Sequence, residues 1–191
     1  MTRKQKTGTK EMLAGSLKTL MSDHMCFDKI TIKDITNQAG LIRPTFYNHF
    51  QDKYELLEWI FYEDIVSPSY VLVDTDMIDE ALRLILVHIR SEKDFLTQAY
   101  RVTGQNAFEQ MVFSSFLKWI RYIFEMQGKP DGARLPMCAK PEHLSYIFAN
   151  TMAFLVKLWN DDQYSTTVDE MTREIDYLSK HTFAEFILGS G

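Results

Sequence analysis

The chain has 191 residues, of which 46% are hydrophobic and 25% charged, and its formal net charge is −5. This composition is typical of a soluble globular protein, and the negative charge argues against a protein that coats nucleic acid. No stretch approaches 18 uncharged apolar residues, so we expect a cytoplasmic protein without a membrane segment. Cys26 and Cys138 lie far apart and outside any CxxC pattern, so neither a disulfide nor a metal site is indicated, and no cofactor is expected.

The first predicted helix covers residues 9–24, where apolar side chains recur at helical spacing. Thr31 and Asp34 then have the spacing of a capping box, which predicts a second helix from Ile32. Gly40 follows about two turns later, where the end of a helix favours a left-handed residue without a Cβ. We therefore expect a short second helix and a turn at Gly40.

A third helix is predicted at Pro44, because proline fits the first turn of a helix, where N–H groups lack partners anyway. Phe46 and Phe50 are four residues apart and give this helix a buried face. A major groove is about 12 Å wide and admits one helix with a polar outer face of this kind. The pattern indicates a helix-turn-helix, although an αα-corner with solvated polar residues would look the same. The outer face and its flanks consist of Arg43, Pro44, Thr45, Tyr47, Asn48 and His49.

The fourth helix is predicted to run from Lys53 to about Val66, behind a second capping box formed by Asp52 and Glu55 and ahead of Pro68. A positive charge in the first turn of a helix is not favoured by the helix dipole. We therefore expect Lys53 to serve an outside partner such as a phosphate. This helix would connect the DNA contact to the rest of the chain and is the natural element to transmit a signal.

The remaining stretches are all helical in period, with neither strand alternation nor a glycine-rich phosphate loop. We predict an all-α fold of about nine helices, in which a three-helix head (residues 1–52) joins a helical regulatory and dimerisation body (residues 53–191). In the body, three helices are predicted to begin at the capping boxes Asp76 with Asp79, Ser91 with Asp94 and Asn106 with Glu109, and to end at about Arg90, Thr103 and Gly128. After a loop at 128–140, a fourth is predicted from Pro141 to Asn160. The last is predicted to begin at the capping box Thr167 with Glu170 and to end at Gly189.

Charge is unevenly divided along the chain. Residues 1–53 carry nine Lys and Arg side chains and five acids, a balance of +4, which leaves −9 for the rest. A basic head on an acidic body suits a sequence-specific DNA-binding protein, because phosphates are attracted to one surface and repelled by the others. Chance variation in surface charge is the alternative explanation.

The segment GLIRPTFYNHFQDKYELL, preceded by TIKDITNQA, closely resembles the recognition region of the TetR (TetR/AcrR) family of transcriptional regulators, and the resemblance covers about residues 9–58. It implies a dimeric regulator, most often a repressor, that binds a palindromic double-stranded operator. Two positions depart from the family pattern: Ile42 replaces a polar helix cap, and Cys26 replaces a glycine. By this resemblance Thr31 and Lys33 contact DNA, Arg43, Pro44, Thr45 and Asn48 meet base edges, and Tyr47, His49 and Lys53 hold phosphates.

The body is rich in aromatic and sulfur side chains, which line ligand pockets and also fill ordinary cores. We predict that a small, largely apolar effector binds there and changes the affinity for DNA. The candidate contacts are Tyr62, His88, Tyr100, Trp119, Tyr122, Phe148 and Met152.

The last two long helices have wide apolar faces, and in the TetR family the corresponding pair forms a four-helix bundle with a second subunit. A homodimer is expected because a helix-turn-helix usually needs a twofold partner to reach adjacent major grooves, about 34 Å apart. The alternative is that the same faces close the monomer's own core. The candidate interface residues are Leu144, Phe148, Thr151, Phe154, Leu155, Leu158, Met171, Ile175 and Leu178.

Two other classes of protein are alternatives to a ligand-controlled regulator. An enzyme is not expected, since no paired acids with a base, no nucleophile beside a histidine and no metal-ligand spacing occur. The second class is an activator or interaction module of the same fold that is controlled by a partner protein. Ile42 in place of a polar cap supports an interaction module that has lost DNA binding, and a faint resemblance of the body to regulators of dihydroxyacetone use supports an activator with a protein partner.

Overall fold

The computed structural model describes residues 3–22, 25–104, 107–126 and 140–180; the predictions for Asn106, Gly128, Cys138, Gly189 and, apart from Lys140, the loop 128–140 concern residues outside these ranges. The described residues form helices and turns without a strand, and apart from the one-turn α5 they contain nine α-helices, so the predicted all-α fold is confirmed. The helices are α1 Arg3–Ser22, α2 Ile32–Gln38, α3 Arg43–Tyr47, α4 Lys53–Phe61, α5 Tyr70–Val73, α6 Ile78–Ser91, α7 Lys93–Ala99, α8 Phe108–Met126, α9 Pro141–Asp161 and α10 Val168–Lys180.

The first three helices pack into the head around a small apolar core. Leu13 and Leu17 of α1 are fully buried with Ile35 of α2 and Phe46 of α3. The first helix begins at Arg3, six residues earlier than predicted from the apolar spacing. The physical reason is that Arg, Lys and Gln are good helix formers, so the helix continues beyond its buried part.

The fourth helix keeps α geometry only to Phe61, and at the predicted end, Val66, a π turn ends but the helical path does not. After α4 the chain continues as a π turn, Tyr62–Val66, and a 3₁₀ turn, Ser67–Ser69, and it enters α5 without leaving a helical path. Proline normally ends a helix because it lacks an N–H and clashes with the preceding turn. Here it lies in the first turn of the 3₁₀ segment, where no N–H is needed, and the wider π turn precedes it.

Two of the predicted helix caps in the body are wrong, although the helices themselves exist. The N-cap of α6 is Met77, which has no side-chain cap hydrogen bond, and Asp76 instead adopts a left-handed φ of 60°. The N-cap of α7 is Glu92, and the Ser91 hydroxyl donates backwards to the carbonyl of His88 at 2.8 Å. The latter helix ends at Ala99, earlier than predicted, because tight turns follow it.

The last helices agree with their predicted starts. Pro141 lies in the first turn of α9, and Thr167 and Glu170 form a complete capping box at the start of α10. Helices α8 and α9 pack side by side, while α10 packs on α6. The body core between them is built from large apolar and aromatic side chains, among them Phe61, Phe108, Phe116, Val156 and Trp159.

Candidate nucleic-acid interface

The helix that precedes the recognition helix is fixed at both ends by local hydrogen bonds. Thr31 and Asp34 form the predicted capping box: the Asp34 N–H donates to the Thr31 hydroxyl at 3.2 Å, and the Thr31 N–H donates to the Asp34 carboxylate at 2.9 Å. The hydrogen bond from the Thr31 hydroxyl, with that from its N–H, holds the pKa of the Asp34 carboxyl below its usual value.

The turn after α2 is a complete Schellman motif. Gly40 has a φ of 65°, as predicted, and its N–H donates to the Asn37 carbonyl at 3.1 Å. The Leu41 N–H donates to the Thr36 carbonyl at 2.8 Å. These bonds satisfy the carbonyls at the end of α2 and direct the chain into α3.

The recognition helix α3 has one buried and one exposed face, as the sequence predicted. Phe46 and Phe50 are buried with ring centroids 5.8 Å apart. Thr45 and His49 are half-buried at the edges of the exposed face. The exposed side chains on this face are Arg43, Pro44, Tyr47 and Asn48.

Arg43 and Tyr47 form a pair on this exposed face. The guanidinium lies 5.5 Å from the ring centroid, and its Nη2 donates to the Tyr47 hydroxyl oxygen at 2.9 Å. Stacking and hydrogen bonding restrict the rotamers of both side chains before any partner arrives. The guanidinium has five N–H donors, so it keeps donors for an outside acceptor.

Lys53, which we expected to serve an outside partner such as a phosphate, has partners within the protein. Its Nζ donates to the carbonyls of Phe27 at 2.7 Å, Asp28 at 3.1 Å and Ile30 at 2.8 Å. An ammonium group has three N–H donors, and all three are used. Lys53 therefore fastens the start of α4 to the turn between α1 and α2, which a sequence pattern limited to neighbouring residues does not reveal.

The cap of α4 differs in one detail from the predicted box. The Asp52 carboxylate accepts from the N–H groups of Tyr54 at 2.8 Å and Glu55 at 2.9 Å, as predicted. The Glu55 carboxylate, however, accepts from the N–H of Gln51 at 2.5 Å and not from that of Asp52. The start of the helix is nevertheless fixed, and with it the position of Lys53.

A second connection between head and body was missed by the sequence reasoning. Lys18 of α1 lies 3.1 Å from Asp64, in the π turn after α4, and 2.7 Å from Glu92, between α6 and α7. A cavity of about 60 Å³ opens between the turn after α1 and the end of α7, and none of the predicted ligand residues lines it. Its lining residues are Cys26, Phe27, Asp28, Gln98, Arg101 and Val102.

The predicted ligand residues do not form a single group. Tyr62 and Tyr122 meet around Tyr70, which the sequence reasoning missed: the hydroxyls of Tyr62 and Tyr70 are 3.3 Å apart, and the rings of Tyr70 and Tyr122 are 4.7 Å apart. Met152 is buried in the core, whereas Phe148 is 44% exposed on α9 and is not an interior residue of the monomer. Three others have a buried polar atom without a hydrogen-bond partner in the described part of the chain: Nδ1 of His88, the hydroxyl of Tyr100 and Nε1 of Trp119.

The predicted interface residues divide into exposed and buried sets. Met171 and Ile175 are buried, since they lie on the face of α10 that packs within the monomer, and including them in the interface was wrong. Leu144 and Leu155 are half-buried. Ile147 is 59% exposed and lies seven residues before Phe154, so it belongs to the same exposed side of α9. The predicted interface residues that are exposed are Phe148, Thr151, Phe154, Leu158 and Leu178.

Comparisons with known proteins match the head by sequence. Residues 26–60 match the family model described as bacterial regulatory proteins, tetR family. Over 59 residues the chain is 39% identical to the HTH-type dhaKLM operon transcriptional activator DhaS of Lactococcus lactis subsp. lactis (strain IL1403). This match spans 31% of the chain and 31% of the relative's length, so it concerns about a third of each protein.

Comparisons of the fold extend the similarity to most of the chain. The solved structure of the dihydroxyacetone kinase operon activator DhaS is similar with a TM-score of 0.64 and 19% identity, covering 89% of this chain and 93% of that one. Native NalD, the secondary repressor of the MexAB-OprM multidrug efflux pump in Pseudomonas aeruginosa, is similar with a TM-score of 0.56 and 15% identity, covering 88% and 93%. At these identities the similarity shows the fold alone.

In the part of the chain that the structure describes, no helix combines the length and the apolar character needed to cross a membrane.

Proposed function

We propose that this chain, whose residues 26–60 belong to the tetR family of bacterial regulatory proteins, is a sequence-specific transcriptional regulator that binds a palindromic operator. The observation that carries the proposal is the outer face of α3: Arg43, Pro44 and Asn48 are exposed, while Phe46 on the opposite face is buried in the core of the head. Thr31 and Lys33 at the start of α2 extend this surface. Its contacts with bases and phosphates are the function we assign to residues 1–52.

Selection of binding sites from random double-stranded DNA tests this proposal. We expect one palindromic sequence with two half-sites, bound about 10³-fold or more tightly than unrelated DNA at the same salt concentration. Asn48→Ala or Thr45→Ala should change the preferred bases, because these side chains meet base edges, whereas Tyr47→Phe should weaken all sequences alike. Equal affinity for every sequence would overturn the proposal.

We further propose that residues 53–191 form the regulatory and dimerisation part, with the exposed apolar face of α9 as the contact between two copies. Ile147, Phe154 and Leu158 form a line at spacings of seven and four residues along one side of this helix. Burying that line against its twofold copy would remove it from water and join two heads rigidly. Two heads related by a twofold axis would match the two half-sites of a palindromic operator. We place the protein in the cytoplasm, where it would reach that operator.

A small-molecule effector is proposed to bind in the body and change operator affinity through α4. Support comes from the buried polar atoms of His88, Tyr100 and Trp119, because a buried donor without a partner costs about 1–3 kcal/mol that a ligand with acceptor oxygens would recover. The predicted contact Tyr62 is the first residue of the π turn after α4, and Tyr122 is connected to it through Tyr70. Such turns are frequent at functional sites. Thermal shift against a metabolite panel, followed by operator binding with each stabilising compound, tests this step.

Two candidate functions differ in whether the protein represses or activates transcription. Repression is the commoner mode in the family that the sequence resembles, whereas the similarity to DhaS, which is named as an activator, favours activation, with a partner protein in place of a small ligand. A reporter gene behind the selected operator distinguishes them. Deletion of the regulator should raise expression if it represses and lower expression if it activates.

A further inference from the structure

An apolar side chain stands exposed at the start of the recognition helix. Ile42 is the N-cap residue of α3, with an extended backbone (φ −99°, ψ 149°), and 69% of its surface is exposed. Its side chain makes no cap hydrogen bond. Residues at this position usually carry an oxygen that accepts from the first N–H groups of the helix, so isoleucine here gives up a common source of helix stability.

The backbone around Ile42 reduces the need for a polar cap. Pro44 has no N–H to satisfy, and the N–H of Thr45 donates to the Ile42 carbonyl at 2.9 Å. Ile42 is also not part of the apolar core of the head. The neighbouring Leu41 is half-buried and packs against that core instead. The position is therefore free to carry an apolar side chain, and that side chain is available to an outside partner.

From this geometry we infer that Ile42 contacts the C5-methyl group of a thymine in each operator half-site and is a specificity-determining residue. The inference rests on the proposed function, in which the first residues of α3 meet base edges. In the major groove the thymine methyl is the one apolar group on the base edges, and the other edge groups are hydrogen-bond donors and acceptors. Isoleucine offers no hydrogen bond, so thymine is the base whose edge matches it.

Contact with the methyl group predicts a defined base preference. Ile42 directly precedes Arg43 and Pro44, so the thymine would adjoin the bases met by these residues. Cytosine and the purines would bring polar edge groups against the isoleucine and lose hydrogen bonds to water. The expected half-site therefore contains a thymine at a fixed distance from the bases that respond to Asn48→Ala.

Uracil substitution in the selected operator tests the inference, because deoxyuridine lacks only the methyl group of thymidine. Each thymidine of both half-sites is replaced in turn, and affinities are measured with the unmodified protein, Ile42→Val and Ile42→Ser. At one symmetric pair of positions, uracil should weaken binding of the unmodified protein and of Ile42→Val by about three- to fivefold per half-site. Ile42→Ser should bind the thymidine and uracil operators equally.

Ile42→Ser also controls for misfolding. Serine is a favourable N-cap residue, so this variant should melt at the same temperature as the unmodified protein or above it. If uracil has no effect at any position, or has the same effect on Ile42→Ser as on the unmodified protein, Ile42 does not contact a methyl group while the regulator assignment stands. If the selection yields no preferred sequence at all, both the inference and the proposed function are overturned.

Discussion

The ammonium group of Lys18 lies 2.7 Å from the carboxylate of Glu92, and this contact joins the first helix of the head to the junction of α6 and α7 in the body. A second carboxylate, that of Asp64, lies 3.1 Å from the same nitrogen. Burial disfavours the charged form of Lys18, but the hydrogen bonds to Glu92 and Asp64 outweigh burial and raise the pKa of the ammonium above its usual value. Lys18 is therefore charged in the folded protein at neutral pH and links three elements.

Replacing Lys18 should destabilise the protein. We expect Lys18→Met to lower the free energy of unfolding by about 1 kcal/mol, because both carboxylates lose their partner while the apolar stem is kept. The raised pKa means that this contribution is fully present below the unfolded pKa of about 10.4 and is lost as pH rises through the higher folded value. Urea denaturation at pH 7 measures the change. Lys157→Met, which removes the more exposed pairs with Asp161 and Glu109, is the control and should cost less than about 0.5 kcal/mol.

Substitutions of Lys53 and Lys33 should affect different properties. The first should lower the stability of the head, and the second should lower the salt dependence of DNA binding. Lys53→Met removes three hydrogen bonds to carbonyls in the turn after α1 and should destabilise the head by about 1–2 kcal/mol, with little change in the salt dependence of DNA binding. Lys33 is exposed at the start of α2, so Lys33→Met should leave stability within about 0.5 kcal/mol and lower the salt slope by about one. Urea denaturation and binding titrations at several salt concentrations separate the two. An unchanged stability and a lower salt slope for Lys53→Met would instead support its predicted phosphate contact.

Two capping boxes should make the protein sensitive to acid. The hydrogen bonds from Thr31 lower the pKa of Asp34, and those from Thr167 lower the pKa of Glu170 in the same way. Stability contributed by a lowered carboxyl pKa is present above the unfolded value, about 4, and is lost as pH falls through the folded value. Denaturation at pH 5, 4 and 3 should therefore show a flatter loss of stability in Asp34→Asn and in Glu170→Gln than in the unmodified protein.

The same two variants form a matched pair for DNA binding. Asp34→Asn weakens the cap that holds Thr31 and Lys33 at the start of α2, whereas Glu170→Gln changes an equivalent cap on α10, far along the chain. At neutral pH only Asp34→Asn should lower operator affinity. Equal losses in both variants would mean that general destabilisation, and not the position of α2, governs the affinity.

Substituting a charged residue on the exposed face of α9 should dissociate the dimer into monomers. We expect Phe154→Glu and Leu158→Glu to give folded monomers, because each places a charge where two apolar faces would meet. Operator affinity should then fall by about 10² to 10⁴, since the second head no longer binds as part of the same molecule. Light scattering at micromolar concentration measures the mass.

The control for the dimer prediction is Val71→Glu. Val71 is 70% exposed on α5, more than Phe154 at 56%, so it tests whether any charge on an exposed apolar residue has the same effect. This variant should remain dimeric with unchanged operator affinity. An unmodified protein that is monomeric at micromolar concentration and still binds a palindrome tightly would refute the role given to α9.

The sequence by itself determined the features that depend on residues within about four positions of each other. The box at Thr31 and Asp34, the left-handed Gly40 and the position of Pro44 were all predicted and are present. Such features follow from backbone geometry and from the unpaired N–H and C=O groups at helix ends, which neighbouring side chains satisfy. The all-α fold and the buried side of the recognition helix follow from the same local periodicity.

Tertiary structure decided which of several possible partners each group has. Lys53 finds its carbonyls 23 to 26 residues away, and Lys18 finds Asp64 at a separation of 46, distances at which sequence spacing carries no information. The apolar faces of α9 and α10 have similar periodicity, yet Ile175 is covered by the monomer and Phe154 is not. Burial depends on which neighbouring helix lies against each face, and that is set by the packing of the whole chain.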